Sequence, residues 1–283
     1  MKLLRYGPKG HEKPGLLDRD GGIRDLSVIL SDIDEVTLGS GEVAKLKKID
    51  PESLPKVAGQ PRIGAPIAAV GNFIAIGINY VDHAKEAGAA IPTEPILFNK
   101  AASCLSGPYD DLILPRDSKK TDWEVELAVV IGKGGSYIDE ARALLHVAGY
   151  AVCHDVSERE FQLERGGQWT KGKGCPTFGP LGPWLVTSDE IDDVQDLDMF
   201  LDVDGARMQT GNTKTMIFGV THLVSYVSRF MALAPGDVIT TGTPPGVGHG
   251  MKPPKYLRPG QTVRLGIAGL GEQEQAVVAY SAK

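Results

Sequence analysis

Short apolar segments, each bounded by turn-forming residues, recur through most of this chain. Segments of about four to eight residues in this setting are typical of β-strands. They do not alternate regularly with helical segments, so the sequence predicts a mixed, mostly β fold. An irregular β-roll or barrel with a few helices fits this pattern better than a doubly wound parallel sheet. The predicted strands are residues 73–78, 125–131, 148–152, 183–186, 197–203, 238–241, 262–267 and 275–278.

Local signals add two hairpin turns and two helices to this pattern. Asp20-Gly21 and Asp204-Gly205 are Asp-Gly pairs, which favour tight turns between antiparallel strands. A short helix is predicted at residues 80–87. Residues 221–233 predict a longer helix, because their apolar side chains recur on one stripe.

A segment rich in proline divides the chain near residue 70. Prolines 51, 55, 61 and 66 follow one another closely, and proline at this density interrupts regular structure. We therefore expect residues 1–69 to form a small N-terminal α/β domain and residues 70–283 to form the larger, β-rich domain. The N-terminal segment contains no motif that indicates a chemistry.

Composition and charge exclude several classes of protein. Lys and Arg total 30 against 36 Asp and Glu, a formal charge of −6, whereas a nucleic-acid surface needs a basic field. No apolar run approaches the ~20 residues of a membrane helix, and the N-terminus lacks an apolar signal segment. The three cysteines show no CxxC spacing, which fits a reducing compartment. We expect a cytoplasmic protein.

Three acidic residues are the candidates for a cation site. Glu124 and Glu126 are two positions apart in an extended segment, so their side chains project to the same face. On spacing alone, an amphipathic strand with a solvated acidic face explains this pair better. Asp155, just after another predicted strand, adds a third carboxylate and favours a site for Mg²⁺, Mn²⁺ or Ca²⁺. The six histidines show no zinc-binding spacing.

His83 and Glu86 are candidates for acid–base chemistry. They are three residues apart in a predicted helical turn, so both lie on one face. A carboxylate beside an imidazole orients the ring and stabilises its protonated form, as a general base requires. A solvated surface pair has the same spacing and is more common.

Several motifs in a fixed order together resemble one family, the fumarylacetoacetate hydrolase family. The agreement covers about residues 70–281. The matching motifs are residues 77–83 (GINYVDH) with Glu86, 98–100 (FNK), 124–127 (EVEL), 154–159 (HDVSER), 171–174 (KGKG), 180–183 (PLGP) and 241–244 (TGTP). The segment 246–257 is most similar to the branch that cleaves 2,4-diketo-3-deoxy sugar acids such as L-fuconate and L-rhamnonate derivatives.

The resemblance implies a β-roll with a buried Mg²⁺ or Mn²⁺ in a homodimer. By position in the motifs, Glu124, Glu126 and Asp155 match metal ligands, His83 and Glu86 match a water-activating pair, and Lys173 matches an active-site lysine. Arg159, Gln162 and Thr243 match substrate-contacting positions, and Lys100 is a further expected contact. Residues 70–80 lack the fourth carboxylate that some members have, so three protein ligands are expected.

The implied reaction is metal-dependent hydrolysis of a carbon–carbon bond in a 2,4-dioxo acid, giving pyruvate and a second acid such as lactate. Within the family, oxaloacetate decarboxylation and isomerisation or hydration of unsaturated dioxo acids remain alternatives. A non-catalytic metal- or sugar-acid-binding protein is a further alternative. The presence of His83, Glu86 and Lys173 beside the carboxylates argues against it, because binding alone requires no base.

Overall fold

The computed structural model describes residues 1–282 and confirms a mixed, mostly β fold with short helices. The strands within these residues are β1 (Lys2–Tyr6), β2 (Lys13–Leu17), β3 (Ile23–Asp25), β4 (Ile63–Gly64), β5 (Phe73–Gly77), β6 (Ile96–Lys100), β7 (Leu105–Ser106), β8 (Leu112–Leu114), β9 (Thr121–Asp122), β10 (Val125–Ile131), β11 (Val147–His154), β12 (Ser157–Glu158), β13 (Gly179–Thr187), β14 (Asp198–Val203), β15 (Ala206–Asn212), β16 (Val238–Thr240), β17 (Thr262–Ile267) and β18 (Gly271–Ala279).

The helices are short and lie between the strands. The α-helices are α1 (Glu35–Gly39), α2 (Glu42–Leu46), α3 (Val81–Glu86), α4 (Thr170–Lys173) and α5 (Val220–Val227). One π-helical turn spans Glu160–Glu164. The 3₁₀ turns are Pro51–Ser53, Ala102–Cys104, Glu140–His146, Ser188–Glu190, Thr213–Thr215 and Gly248–Gly250.

Two sheets form most of the molecule. The larger has the strand order β3-β2-β1-β13-β11-β10-β16-β5-β6, with β4 beside β1 and β7 beside β13. The smaller has the order β15-β14-β17-β18-β8 and packs across β10, β11 and β13. All seven residues of β10 are buried, because neighbouring strands flank it in the sheet and other elements cover both of its faces. A strand buried on both sides reads as a nearly continuous apolar run, as residues 125–131 do.

The predicted turns and the first predicted helix are confirmed, and the second helix is shorter than expected. The hairpin between β14 and β15 turns at Asp204 and Gly205, whose φ angles are 50° and 76°. Helix α5 ends at Val227, not at residue 233. The Ser228 hydroxyl there donates to the Ser225 carbonyl at 2.7 Å, and the chain then turns so that Leu233 pairs with Gly135.

Residues 1–69 contribute strands to the larger sheet. β1 pairs antiparallel with β13, through Lys2 opposite Val186 and Leu3 opposite Leu185. Backbone hydrogen bonds and a shared apolar core therefore join this segment to the rest of the chain. The division at residue 70 into two domains stays a prediction. No helix among the described residues is long and apolar enough to cross a membrane.

Candidate active site

The junction of β10 and β11 brings three carboxylates together. The two strands are antiparallel, with Val125 opposite His154, and the Asp155 amide donates to the Glu124 carbonyl at 3.0 Å. Glu124, Glu126 and Asp155 each offer an oxygen within 4.8 Å of the others. All three residues are buried, so the solvated acidic face considered from spacing alone is wrong.

Basic side chains contact two of these carboxylates. Lys173 Nζ lies 2.5 Å from Glu124 Oε2 and 2.6 Å from Asp155 Oδ2. Arg159 Nη2 lies 2.6 Å from Glu124 Oε1. Burial alone would raise the pKa of Glu124. The charges of Lys173 and Arg159 instead hold this pKa well below its ordinary value.

Glu126 differs from its two neighbours because no basic side chain of residues 1–282 contacts it. Its only hydrogen-bond donor among the described residues is the Gly242 amide, at 3.0 Å. Burial and the nearby carboxylates of Asp155 and Glu124 raise its pKa well above the ordinary value. Three clustered carboxylates, one without a cationic partner, are hard oxygen donors that fit a divalent cation such as Mg²⁺ or Mn²⁺.

Lys100 and Lys171 differ from Lys173 because neither of them lines the cavity described below. Lys100 was expected to contact substrate, but its fully buried ammonium donates to Asp155 Oδ1 and to the Lys173 carbonyl, both at 2.6 Å. It does not line the cavity described below. Lys171 donates to the exposed Arg165 carbonyl. Of the three lysines, Lys173 alone lines the cavity.

His83 and Glu86 lie on one face of α3, as the spacing predicts. Glu86 Oε2 is 3.2 Å from His83 Nδ1. The Glu86 carboxylate also accepts the Gly246 amide, at 3.0 and 3.1 Å from its two oxygens. A carboxylate fixed from two sides holds the ring in one orientation and leaves Nε2 for other chemistry.

The remaining predicted contacts also line the cavity. Arg159 Nη1 donates to Gln162 Oε1 at 3.0 Å, which orients the amide. The Thr243 hydroxyl donates to the Val125 carbonyl at 2.9 Å and accepts from Gln209 Nε2 at 2.8 Å. This threonine is held firmly by its two partners.

These side chains surround one cavity of about 450 Å³. Part of its wall is aromatic, where Phe98 and Trp169 pack edge to face with ring centres 5.2 Å apart. Gly77 is required here, because a Cβ at this residue would lie 2.5 Å from the Trp169 ring. The predicted site residues that line the cavity are His83, Glu86, Glu124, Glu126, Asp155, Arg159, Gln162, Lys173 and Thr243.

Two residues near the cavity were missed by sequence reasoning. Asp122 is fully buried and accepts from Arg159 Nε at 2.8 Å, from the Gly248 amide at 2.7 Å and from the His249 amide at 3.0 Å. His249 lines the cavity. Asp122 lies two positions before the EVEL motif, and this proximity could have identified it. No spacing pattern indicated His249.

The sequence model of the fumarylacetoacetate (FAA) hydrolase C-terminal family matches residues 72–278. The chain therefore belongs to this family. A relative from Burkholderia ambifaria (strain MC40-6), named "Putative hydrolase", is 61% identical over 277 residues, which are 98% of each chain.

Solved structures of family members share the fold over almost the whole chain. A fumarylacetoacetate hydrolase from Exiguobacterium antarcticum is 36% identical, with a TM-score of 0.89 over 99% of this chain and 100% of that one. A maleylpyruvate hydrolase from Sphingobium sp. SYK-6, in complex with manganese(II) and pyruvate, is 26% identical with a TM-score of 0.83 and the same coverage. A 5-carboxymethyl-2-hydroxymuconate delta-isomerase from Mycobacterium smegmatis is 30% identical, with a TM-score of 0.78 and full coverage of both chains.

Proposed function

We propose that this protein is a divalent-metal-dependent hydrolase that cleaves the C3–C4 bond of a 2,4-dioxo acid, yielding pyruvate and a second carboxylic acid. One observation carries the proposal. The carboxylate cluster, Lys173 and the His83–Glu86 pair all line the same cavity. A binding protein has no need of a carboxylate-oriented imidazole beside a cation site.

The acidic cluster is assigned to the metal. Glu124, Glu126 and Asp155 would hold Mg²⁺ or Mn²⁺, which supplies Lewis-acid stabilisation to the carboxylate and 2-oxo end of the substrate. The complex of the maleylpyruvate hydrolase neighbour with manganese(II) and pyruvate supports this assignment. Ca²⁺ suits the same oxygen donors.

The protein side chains are assigned to proton transfer and charge stabilisation. His83 Nε2 takes a proton from water, and Glu86, at Nδ1, stabilises the imidazolium that results. The hydroxide adds to C4, and the C3–C4 bond then breaks with its electron pair passing to the pyruvate fragment. That fragment takes up a proton at C3 to give pyruvate. Lys173 and Gln162 stabilise the developing oxyanion, a contribution of about 3–4 kcal/mol to the barrier for one such donor.

The substrate class and assembly complete the proposal. The similarity of segment 246–257 to the sugar-acid branch supports a 2,4-diketo-3-deoxy sugar acid, and a simple acylpyruvate is the other substrate of this type. Arg159, Gln162 and Thr243 are assigned to substrate binding. The homodimer implied by the resemblance is part of the proposal and is checked by light scattering.

An isomerase is the second candidate function, and the isomerase neighbour is the observation that favours it. It needs the same metal and a base, but no carbon–carbon bond is broken.

Oxaloacetate decarboxylation is the other alternative within the family. This reaction needs no attack by water, so His83 would have no role as a water base.

The test is a pyruvate assay on metal-loaded protein, with EDTA-treated protein as the control. The substrates are an acylpyruvate, a 2,4-diketo-3-deoxy sugar acid and oxaloacetate. Metal-dependent release of pyruvate together with a second carboxylic acid supports the proposal. Pyruvate and CO₂ from oxaloacetate alone would make the protein a decarboxylase. No pyruvate from any substrate, with metal bound, would favour the isomerase.

A further inference from the structure

The Glu86 carboxylate is held by a turn at residues 246–250 as well as by its own helix. Among residues 1–282, its one hydrogen bond within α3 is to His83, three positions away, and many solvated surface pairs have this spacing. From the turn, the Gly246 amide donates to both Glu86 oxygens, at 3.0 and 3.1 Å. The turn therefore supplies the contact that an ordinary surface pair lacks.

Gly250 packs the end of this turn against the same side chain. A Cβ at Gly250 would lie 2.8 Å from Glu86 Cγ and 2.9 Å from Glu86 Cδ, well inside van der Waals contact. The φ angle of Gly250 is not positive, so an alanine fits the backbone and the strain falls on the carboxylate. A side chain at this residue would thus displace Glu86 from the position in which it meets His83.

The buried Asp122 carboxylate anchors the turn to β9. It accepts four N–H groups, two on each oxygen. They are the Gly248 amide at 2.7 Å, the His249 amide at 3.0 Å, the Trp123 amide at 2.9 Å and Arg159 Nε at 2.8 Å. A carboxylate has an acceptor site for each of these donors, whereas an asparagine would turn its NH₂ group toward some of them.

Trp123 holds the beginning of the turn. Its Nε1 donates to the Gly246 carbonyl at 3.0 Å, and only 2% of the residue is exposed. Asp122 and Trp123 are consecutive residues, so one short buried segment fixes the turn at several points. The turn backbone is therefore in place before a substrate arrives, as the support of a catalytic pair must be.

We propose that Asp122 is a positioning residue for the His83–Glu86 pair and acts on it through the turn 246–250. This inference rests on the proposed hydrolase function, in which His83 takes a proton from water. The same carboxylate holds Arg159, which is assigned to substrate binding. Asp122 thus aligns the base and one substrate contact from a single point.

Gly250→Ala tests the link between the turn and Glu86. It should lower kcat about 10–100-fold, because misplacing a catalytic group by about 1 Å has an effect of this size. KM and the affinity for Mg²⁺ should stay near their wild-type values. The substrate is the one, among those of the pyruvate assay, that metal-loaded wild type cleaves, and Mg²⁺ affinity is measured by calorimetry.

Gly266→Ala is the matched control. A Cβ at Gly266 would lie 2.8 Å from Glu272 Cγ, the same separation as at Gly250, and the φ angle of Gly266 is likewise not positive. Gly266 lies in β17 and does not line the cavity. This variant should keep the wild-type kcat.

Asp122→Asn tests the anchor itself. It should lower kcat as Gly250→Ala does, and it should also raise KM, because Arg159 loses its partner at Nε. If Asp122→Asn does not fold, Gly250→Ala decides the proposal by itself.

The proton on His83 Nδ1 gives a readout that does not depend on turnover. The ring is buried and its partner is a carboxylate, so this proton should give a slowly exchanging signal in spectra of Mg²⁺-loaded protein labelled with ¹⁵N-histidine. The signal is assigned by its absence from His83→Ala. It should be lost or exchange faster in Gly250→Ala and stay unchanged in Gly266→Ala.

An unchanged His83 signal in Gly250→Ala would refute the proposal, whatever the kcat of this variant. A wild-type kcat in Gly250→Ala would also refute it, as would an equal loss of kcat in Gly266→Ala. Loss of Mg²⁺ affinity in Gly250→Ala would show general distortion of the site and refute it too. If wild type releases no pyruvate from any substrate, the hydrolase function fails, and the His83 signal still decides whether the turn positions the pair.

Discussion

Lys100 supports Asp155 from within the protein. Its ammonium lies 2.6 Å from Asp155 Oδ1, and neither side chain is more than 1% exposed. The other oxygen of Asp155 contacts Lys173, so the carboxylate is held by two cations. Burial alone would lower the pKa of Lys100, but the charge of Asp155 raises it above its ordinary value. The pair holds the side chain of one expected metal ligand in place.

Removing this support should destabilise the protein. Lys100→Met leaves the Asp155 carboxylate without one of its buried cations, and breaking a buried pair typically costs about 3–5 kcal/mol. The free energy of unfolding, measured by denaturant titration, should fall by an amount in this range. Lys45→Met removes an exposed partner of Glu42 and should cost less than about 1 kcal/mol. Equal losses in the two variants would contradict the role given to Lys100.

Glu126 is expected to be needed for metal binding. Glu126→Gln removes the carboxylate that has no basic partner within the described part of the chain, so metal affinity and turnover should be lost together. Metal content is measured by elemental analysis after dialysis, and affinity by calorimetry. Glu272→Gln, at an exposed pair with Arg264, should bind metal like the wild type. An unchanged metal content in Glu126→Gln would remove this residue from the site.

His83 is expected to act on water and not on the metal. His83→Ala should keep the wild-type metal content and lose about 10²–10⁴-fold in kcat, the usual contribution of a general base. His222→Ala tests whether loss of any histidine has this effect, and it should retain full activity. Near wild-type hydrolysis by His83→Ala would show that another group activates water.

Stability should decline at alkaline pH because of Tyr150. Burial raises the pKa of this phenol to about 12, so the folded protein holds the proton more tightly than the unfolded chain does. The resulting stabilisation is complete below pH 10 and is lost as the pH rises to about 12. The change is up to about 3 kcal/mol, at about 1.4 kcal/mol per pKa unit.

The measurement is the difference in unfolding free energy between wild type and Tyr150→Phe, followed across this pH range. As the pH rises, the free energy of unfolding of the wild type should fall relative to that of Tyr150→Phe. Tyr137→Phe, at a residue that is 79% exposed, serves as the control and should show no such shift. A pH-independent difference for Tyr150→Phe would refute the prediction.

Much of the fold could be predicted because it depends on local pattern. Residues 125–131 form a strand with the predicted bounds, since a nearly continuous apolar run that ends at a glycine is typical of a strand buried on both faces. The Asp204-Gly205 turn has positive φ at both positions, which the Asp-Gly pair predicts directly. The family was also recognisable, because its motifs are short, local and ordered along the chain.

The sequence by itself determined most of the strands, the turns and most of the candidate site residues, since each depends on neighbours a few positions away. Only the tertiary structure decided which of these residues share a cavity. Lys100 and Lys173 are 73 residues apart, yet the ammonium of Lys100 donates to the carbonyl of Lys173 and only Lys173 lines the cavity. Asp122 and His249 meet across 127 residues. Strand pairing and close packing fix such contacts, and no periodicity along the chain encodes them.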